Sequence, residues 1–218
     1  MKSVSNHLIL KLLAAATLAG ALSACAPLVV GGAVVGGMVA TDRRTSGAQL
    51  DDESIELRGA NRISDAMGSR VRVNLTSYNR QVLLTGEAPN QADRQRVEQI
   101  VAGMDNVRAV VNELVIMDSP NLQQRSADAL VTGKVKAAMV DSKDVFANTF
   151  KVVTERGTVY LMGRVTQREA DRATEVTRGV SGVRRVVRIL EIISEAELQS
   201  LQLQPDTPAQ APAATPRQ

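Results

Sequence analysis

The chain has 218 residues, 26 Lys and Arg against 23 Asp and Glu, one His, one Cys, no Trp and 2% aromatics. With His7 and Cys25 both near the N-terminus, the rest of the chain cannot assemble a histidine base, a thiolate nucleophile or the usual zinc ligand sets. The aromatic deficit removes a stacking platform for single-stranded nucleic acid, and no Gly-rich stretch comes with the lysine of a phosphate-cradling motif.

Lys2 and Lys11 are followed by an uncharged apolar run over residues 12–22 and by small residues before Cys25, the composition of an exported leader. The run is short for a bilayer span. Leu22-Ser23-Ala24-Cys25 resembles a lipobox, in which the thiol takes a diacylglyceryl group, the leader (here residues 1–24) is cut away and the new amine is acylated. The expectation is a covalent lipid on Cys25, no cofactor and no metal. Two or more acyl chains anchor stably, at about 0.8 kcal/mol per buried CH₂. Ala26 stands where an Asp would resemble an inner-membrane retention signal, so the expected address is the periplasmic face of the outer membrane. The alternative is a secreted protein with a buried free thiol. Residues 25–50 are read as a lipidated Gly-rich tether. Gly32 and Gly36 have the spacing of a helix-packing face, but the apolar stretch 27–40 is too short to span a bilayer.

The next part of the chain is written twice. Val82-Leu83-Leu84-Thr85-Gly86, Ala92-Asp93-Arg94 and Asn106-Val107-Arg108-Ala109-Val110-Val111 recur as Val159-Tyr160-Leu161-Met162-Gly163, Ala170-Asp171-Arg172 and Gly182-Val183-Arg184-Arg185-Val186-Val187. Each copy opens with a helix: Ile55, Gly59 or Ala60, Ile63 and Met67 keep helical spacing, as do Val131, Val135 and Ala138 or Met139. Val71, Val73 and Leu75 alternate with polar residues as a half-buried strand does, a turn from Ser77 to Gln81 follows, and Val82 to Thr85 is the second strand. In the second copy Phe150 to Thr154, the Glu155-Arg156-Gly157 turn and Val159 to Met162 repeat the hairpin. Gly86 and Gly163 are read as ending these strands, where backbone passes close to backbone.

A polar helix comes next, with Ala92, Val97, Ile100, Val101 and Met104, or Ala170, Ala173, Val176 and Val180, as its apolar positions. A last strand spans 109–117 or 184–193. The fold class is therefore α+β: two tandem αββαβ units, each a three-stranded mixed sheet covered on one face by two helices. The first unit spans 51–118, a linker with Pro120 covers 119–124, and the second unit spans 125–194. Units of this size are near the lower limit for an independent core, so the two are expected to lean on each other. Residues 195–218, rich in Pro and Gln, are read as a disordered tail.

Val-x-Leu-x-Gly, a charged helix, then Gly-Val-x-x-Val before a final strand resembles the BON domain (bacterial osmotically induced and nodulation), with Asn106 replacing the glycine in the first copy. A lipobox before two such units resembles the dual-BON-domain outer-membrane lipoproteins, the family of the division- and outer-membrane-stress-associated lipid-binding protein. The resemblance implies binding of anionic phospholipid, mainly through the first helix of the second unit, a part in outer-membrane integrity, and no enzymatic activity.

Charge adds an independent observation. Residues 51–118 hold 8 basic and 11 acidic side chains, net −3, whereas 125–194 hold 13 and 8, net +5. Near an anionic leaflet each Lys or Arg is worth on the order of 1 kcal/mol, which favours the second unit. If Val131, Val135 and Met139 face the core, then Leu130, Lys134 and Ala137 face elsewhere and become the candidate phospholipid contacts. A contact of Leu130 with the first unit is the alternative. Arg184, Arg185 and Arg188 are read first as solvated charges on a strand edge. Asp93 and Asp171 suit helix starts better than carboxylate catalysis. The competing function is a protein-interaction adaptor for an envelope assembly machine or a cell-wall enzyme regulator. Export removes nucleic acid as a partner.

Overall fold

The computed structural model describes residues 42–117, 122–142 and 144–203. The leader, Cys25, the glycines at 32 and 36, the linker around Pro120 and residues 204–218 lie outside the described residues.

The first repeat runs α1 (Ser46–Met67), β1 (Arg72–Tyr78), β2 (Gln81–Ala88), α2 (Gln91–Ala102), β3 (Ala109–Asn112) and β4 (Val115–Ile116). The second runs α3 (Leu122–Asp141), β5 (Phe150–Glu155), β6 (Thr158–Val165), α4 (Gln167–Arg178) and β7 (Arg185–Ile192), followed by α5 (Glu195–Leu203). In each repeat the first two strands pair antiparallel and the last pairs parallel to the second, giving the mixed sheets β1-β2-β3, with β4 also on β2, and β5-β6-β7. The last strand of the first repeat is interrupted at Glu113 and Leu114, while β7 is continuous.

Several boundaries differ from the sequence reading. The hairpin turns hold only two residues, because Tyr78 pairs with Gln81 and Glu155 with Thr158. Asn79 (φ 49°) and Arg80 (φ 64°), like Arg156 (φ 52°) and Gly157 (φ 71°), take the left-handed conformation that a tight hairpin turn requires. Gly86 and Gly163 do not end their strands, which continue to Ala88 and Val165. The expected close backbone approach is present. A Cβ on Gly86 would lie 2.1 Å from the Arg72 carbonyl oxygen, and one on Gly163 2.6 Å from that of Thr149.

α1 starts at Ser46, inside the segment read as tether, because Thr45 caps it by accepting the Ala48 N–H at 3.1 Å. α3 begins at Leu122, so residues 122–124 are helix rather than linker. The tail reading fails over 195–203: Ser194 Oγ accepts the Glu197 N–H at 3.1 Å, Glu195 and Glu197 suit the positive helix end, and Leu198 is buried.

Val82 and Leu84 of β2 pack with Ile55, Ile63, Val97 and Val101 of the helices. Val159 and Leu161 of β6 do the same with Val131, Val135, Ala170 and Ala173. Their neighbours in sequence point the other way, as strand pleating demands. Tyr78 and Leu83 of the first repeat meet Tyr160, Met162 and Ile189 of the second in a third buried cluster. The two sheets therefore pack face to face with helices outside, and the expected mutual support of the repeats is a sheet-on-sheet contact.

Candidate membrane-facing site

The buried face of α3 carries Asp128, Val131, Val135 and Met139. At 100° per residue, the opposite face carries Leu130, Gly133, Ala137 and Val140, all exposed, with Lys134 on one flank and Lys136 on the other. Leu130 is 60% and Val140 70% exposed, so the alternative of a contact between Leu130 and the first repeat does not hold. Gly133 has no atom within 4 Å of where its Cβ would be. Packing does not require a glycine there, and it leaves the outward face low and flat. Leu130, Lys134 and Ala137 thus share an accessible helix face. Val140 belongs with them and was missed, although it lies three positions after Ala137, the spacing that keeps residues on one helix face.

The corresponding helix of the first repeat is different. α1 exposes Leu50 and Leu57, but Glu53 and Asp65 stand on the same side.

Charged side chains of the two repeats pair with one another in both directions. Arg72–Glu155 (2.8 Å), Arg156–Glu87 (3.0 Å), Lys151–Glu56 (2.7 Å), Arg108–Glu191 (2.9 Å) and Arg185–Glu113 (2.7 Å) all cross the sheet-on-sheet contact. Burial pushes the Glu87 carboxyl up, yet the hydrogen bonds and charges of Arg72 and Arg156 outweigh it and hold it below its usual range. The reading of Arg185 and Arg188 as merely solvated is corrected: Arg185 meets Glu113 and Arg188 meets Asp171 at 2.7 Å. Asp93 lies in the first turn of α2, where its N–H is accepted by Asn90 at 2.8 Å, as a helix-start role requires.

The last residues before α1 are held on both sides. Arg43 donates to both Glu169 oxygens at 2.7 Å and to the Arg164 carbonyl at 3.0 Å, while Arg164 donates back to the Arg43 carbonyl at 3.1 Å. Glu169 also closes the capping box of α4 with Thr166. Arg44 turns to the first repeat, donating to Asp52 at 2.7 Å with its guanidinium 4.4 Å from the Tyr78 ring centroid. These residues are therefore not free tether. Arg43→Ala strands the 1% exposed Glu169, at about 2–3 kcal/mol, less than a fully buried pair costs because Thr166 still donates. The expected result is a thermal midpoint lower by roughly 5–10 °C in a circular dichroism melt.

Among the described residues no three His, Cys, Asp or Glu side chains converge as a metal site, and no helix is long and apolar enough to cross a membrane.

Residues 51–118 and 127–193 each match the BON domain. The chain belongs to the BON-domain family. Both BON domains are complete αββαβ units, and their matched spans fall on the two repeats described above. Outer membrane lipoprotein DolP of Haemophilus influenzae is 37% identical over 174 residues, covering 79% of this chain and 90% of that protein. The 21 kDa hemolysin of Actinobacillus pleuropneumoniae is 34% identical over 154 residues, covering 70% and 79%. Osmotically-inducible protein Y of Escherichia coli is 29% identical over 108 residues, covering 48% and 54%. None of these relatives is an enzyme by name.

Proposed function

We propose that this BON-domain protein is a non-enzymatic outer-membrane lipoprotein, acylated at Cys25 on the periplasmic face, whose second BON domain binds anionic phospholipid and thereby supports envelope integrity. The observation that carries the reading is the outward face of α3, where Leu130 and Val140 stand exposed on either side of Gly133 and Ala137, beside Lys134. An exposed apolar stripe edged by lysines is the composition of a helix lying in the headgroup layer. The equivalent helix of the first domain carries acids instead. Similarity to an outer membrane lipoprotein over 90% of that protein's length supports the address.

Leu130→Glu tests the reading. Placing a carboxylate on the stripe should abolish co-sedimentation with phosphatidylglycerol vesicles while leaving the thermal midpoint within a degree or so, because the 60% exposed side chain supports no core packing. Unchanged sedimentation would sink the proposal.

A second reading, a protein-interaction adaptor, draws on Val115, Ile116 and Met117 at the end of the first domain's last strand, which are exposed beside an open sheet edge. Its mark would be an in-cell crosslink to one protein that is lost with Ile116→Lys and retained with Leu130→Glu.

A further inference from the structure

β7 is the outer strand of the second sheet and pairs with β6 alone among the described residues. The Arg185 and Ile193 N–H groups donate to the Gly157 and Val165 carbonyls, so the odd-numbered residues of this parallel pair bond toward β6. Val186, Arg188, Leu190 and Ile192 therefore turn their N–H and C=O groups outward. Among the described residues those backbone groups have no partner.

The first domain closes the same edge. Its last strand breaks at Glu113 and Leu114. There the Asn112 carbonyl accepts from Arg94 of α2 at 2.8 Å, the Asn112 amide donates back to the Arg94 carbonyl at 3.0 Å, and its side-chain oxygen accepts the Leu114 N–H at 3.2 Å. In the second copy the Ala-Asp-Arg repeat puts Arg172 where Arg94 stands, and the strand register puts Arg188 where Asn112 stands. Arg172 turns to Glu175 at 2.8 Å and Arg188 to Asp171 at 2.7 Å, both on α4. β7 then runs unbroken through eight residues. An open edge of this length is a template for another strand, and a strand break with bonded edge groups is one way to remove it.

Beside the edge runs a groove of about 440 Å³ between α4 and β7, lined by Asp171, Thr174, Glu175, Arg178, Val186 and Arg188. Both of its acids are taken by arginines, whereas Arg178 has no side-chain partner among the described residues. The Arg188–Asp171 pair is exposed and holds little energy, which leaves Arg188 open to a second carboxylate. At the other end of the strand Ile192 is 48% exposed.

We propose that β7 and this groove dock an extended acidic segment of another protein, added antiparallel as a fourth strand of the second sheet. Side chains opposite Val186, Arg188, Leu190 and Ile192 fall on the groove side. Carboxylates opposite Val186 and Arg188 meet Arg178 and Arg188, and an aliphatic side chain opposite Ile192 covers it. Main-chain bonds hold the segment while alternate side chains select it. A second copy of this chain is the poorer occupant, because β7 offers Arg185 and Arg188 against one acid, Glu191, already bonded to Arg108, Arg164 and Asn79. α3 packs on β5 and α4 on β7, so this surface lies toward the opposite edge of the sheet from α3 and does not depend on lipid binding.

The test is an NMR titration of the full mature chain carrying Cys25→Ser with the peptide Ile-Thr-Val-Thr-Glu-Thr-Glu, designed to set its first residue opposite Ile192 and its last opposite Val186. The amides of Val186, Arg188, Leu190 and Ile192 should shift. Methylating the peptide nitrogens at its third and fifth positions, which face β7, should abolish binding; methylating the second and fourth should preserve it. A peptide with Lys in place of both Glu should not bind. Arg178→Gln should weaken binding about fivefold, the upper range for an exposed ion pair, while Leu130→Glu and Ile116→Lys change nothing. No shift at millimolar peptide, or binding that survives methylation at the third and fifth positions, overturns the proposal. A concentration-dependent dimer in sedimentation, with the same four amides shifting as it forms, assigns the edge to a second copy and overturns it as well.

Discussion

Replacing Asp52 with alanine is expected to cost about 3–5 kcal/mol and to lower the thermal midpoint by roughly 10 °C or more. The carboxylate is only 2% exposed and accepts four hydrogen bonds: from Ser77 Oγ at 2.6 Å, the Asn79 and Arg80 N–H groups at 2.7 and 2.8 Å, and Arg44 at 2.7 Å. Alanine leaves the two turn amides without acceptors, each such orphan costing about 1–3 kcal/mol, and leaves the Arg44 guanidinium with Asp42 as its remaining carboxylate. Asp128 does the same for the second hairpin, accepting the N–H groups of Arg156 and Gly157 at 2.8 Å, so Asp128→Ala should be destabilising for the same reason.

Acid supplies a check. Burial pushes the Asp52 carboxyl up, but its hydrogen bonds from Ser77, Arg80, Arg44 and Asn79 outweigh burial and hold it below its usual range. A depressed folded value means that the stabilisation is present above the unfolded value of about 4 and is lost as pH falls through the folded one. Asp52→Asn lacks the carboxylate at every pH, so its deficit in midpoint should shrink as pH drops below about 4. Glu87, Glu169 and Glu191 share the direction of shift, and the whole body should weaken in the same window. A deficit that stays constant with pH would show that the charge is not what holds the turn.

Gly86→Ala is the second large effect. The residue has φ 118°, where an L side chain is strained by about 1–3 kcal/mol. Its Cβ would also lie 2.1 Å from the Arg72 carbonyl oxygen. That oxygen belongs to a strand paired with β2 from Arg72 to Tyr78, so the backbones must part and ladder bonds must stretch. About 4 kcal/mol is expected in total, read as a lower urea midpoint with faster amide exchange at Val73 and Gly86. Gly163 makes a similar close approach without positive φ, so its alanine variant should cost less. Equal losses at the two positions would show that contact alone, and not backbone conformation, sets the cost.

The repeat, the element order and the core stripe of each opening helix were legible because period and motif spacing encode them directly. Ile55, Ile63 and Met67 of α1, and Val131, Val135 and Met139 of α3, are buried as the spacing required. The sheet-on-sheet contact had a signal that was not used. Val82-Leu83-Leu84 and Val159-Tyr160-Leu161-Met162 are unbroken apolar runs, the pattern of strands buried on both faces, whereas one covered face would leave polar residues alternating. The extent of the turns was misjudged because Asn79 and Arg80 are not glycines, although both take φ above zero. Arg43 and Arg44 looked like tether because their partners, Glu169 and Asp52, are distant in sequence or hidden in a charged helix. On the candidate site, Leu130, Lys134 and Ala137 followed from subtracting the core stripe.

Arg43 and Arg44 are neighbours joined by one peptide bond, yet each grips a different domain. Any tension arriving along the backbone through residue 42 is divided at that bond before it reaches either hydrophobic core. Separating either domain from that point requires pulling a guanidinium away from a shielded carboxylate.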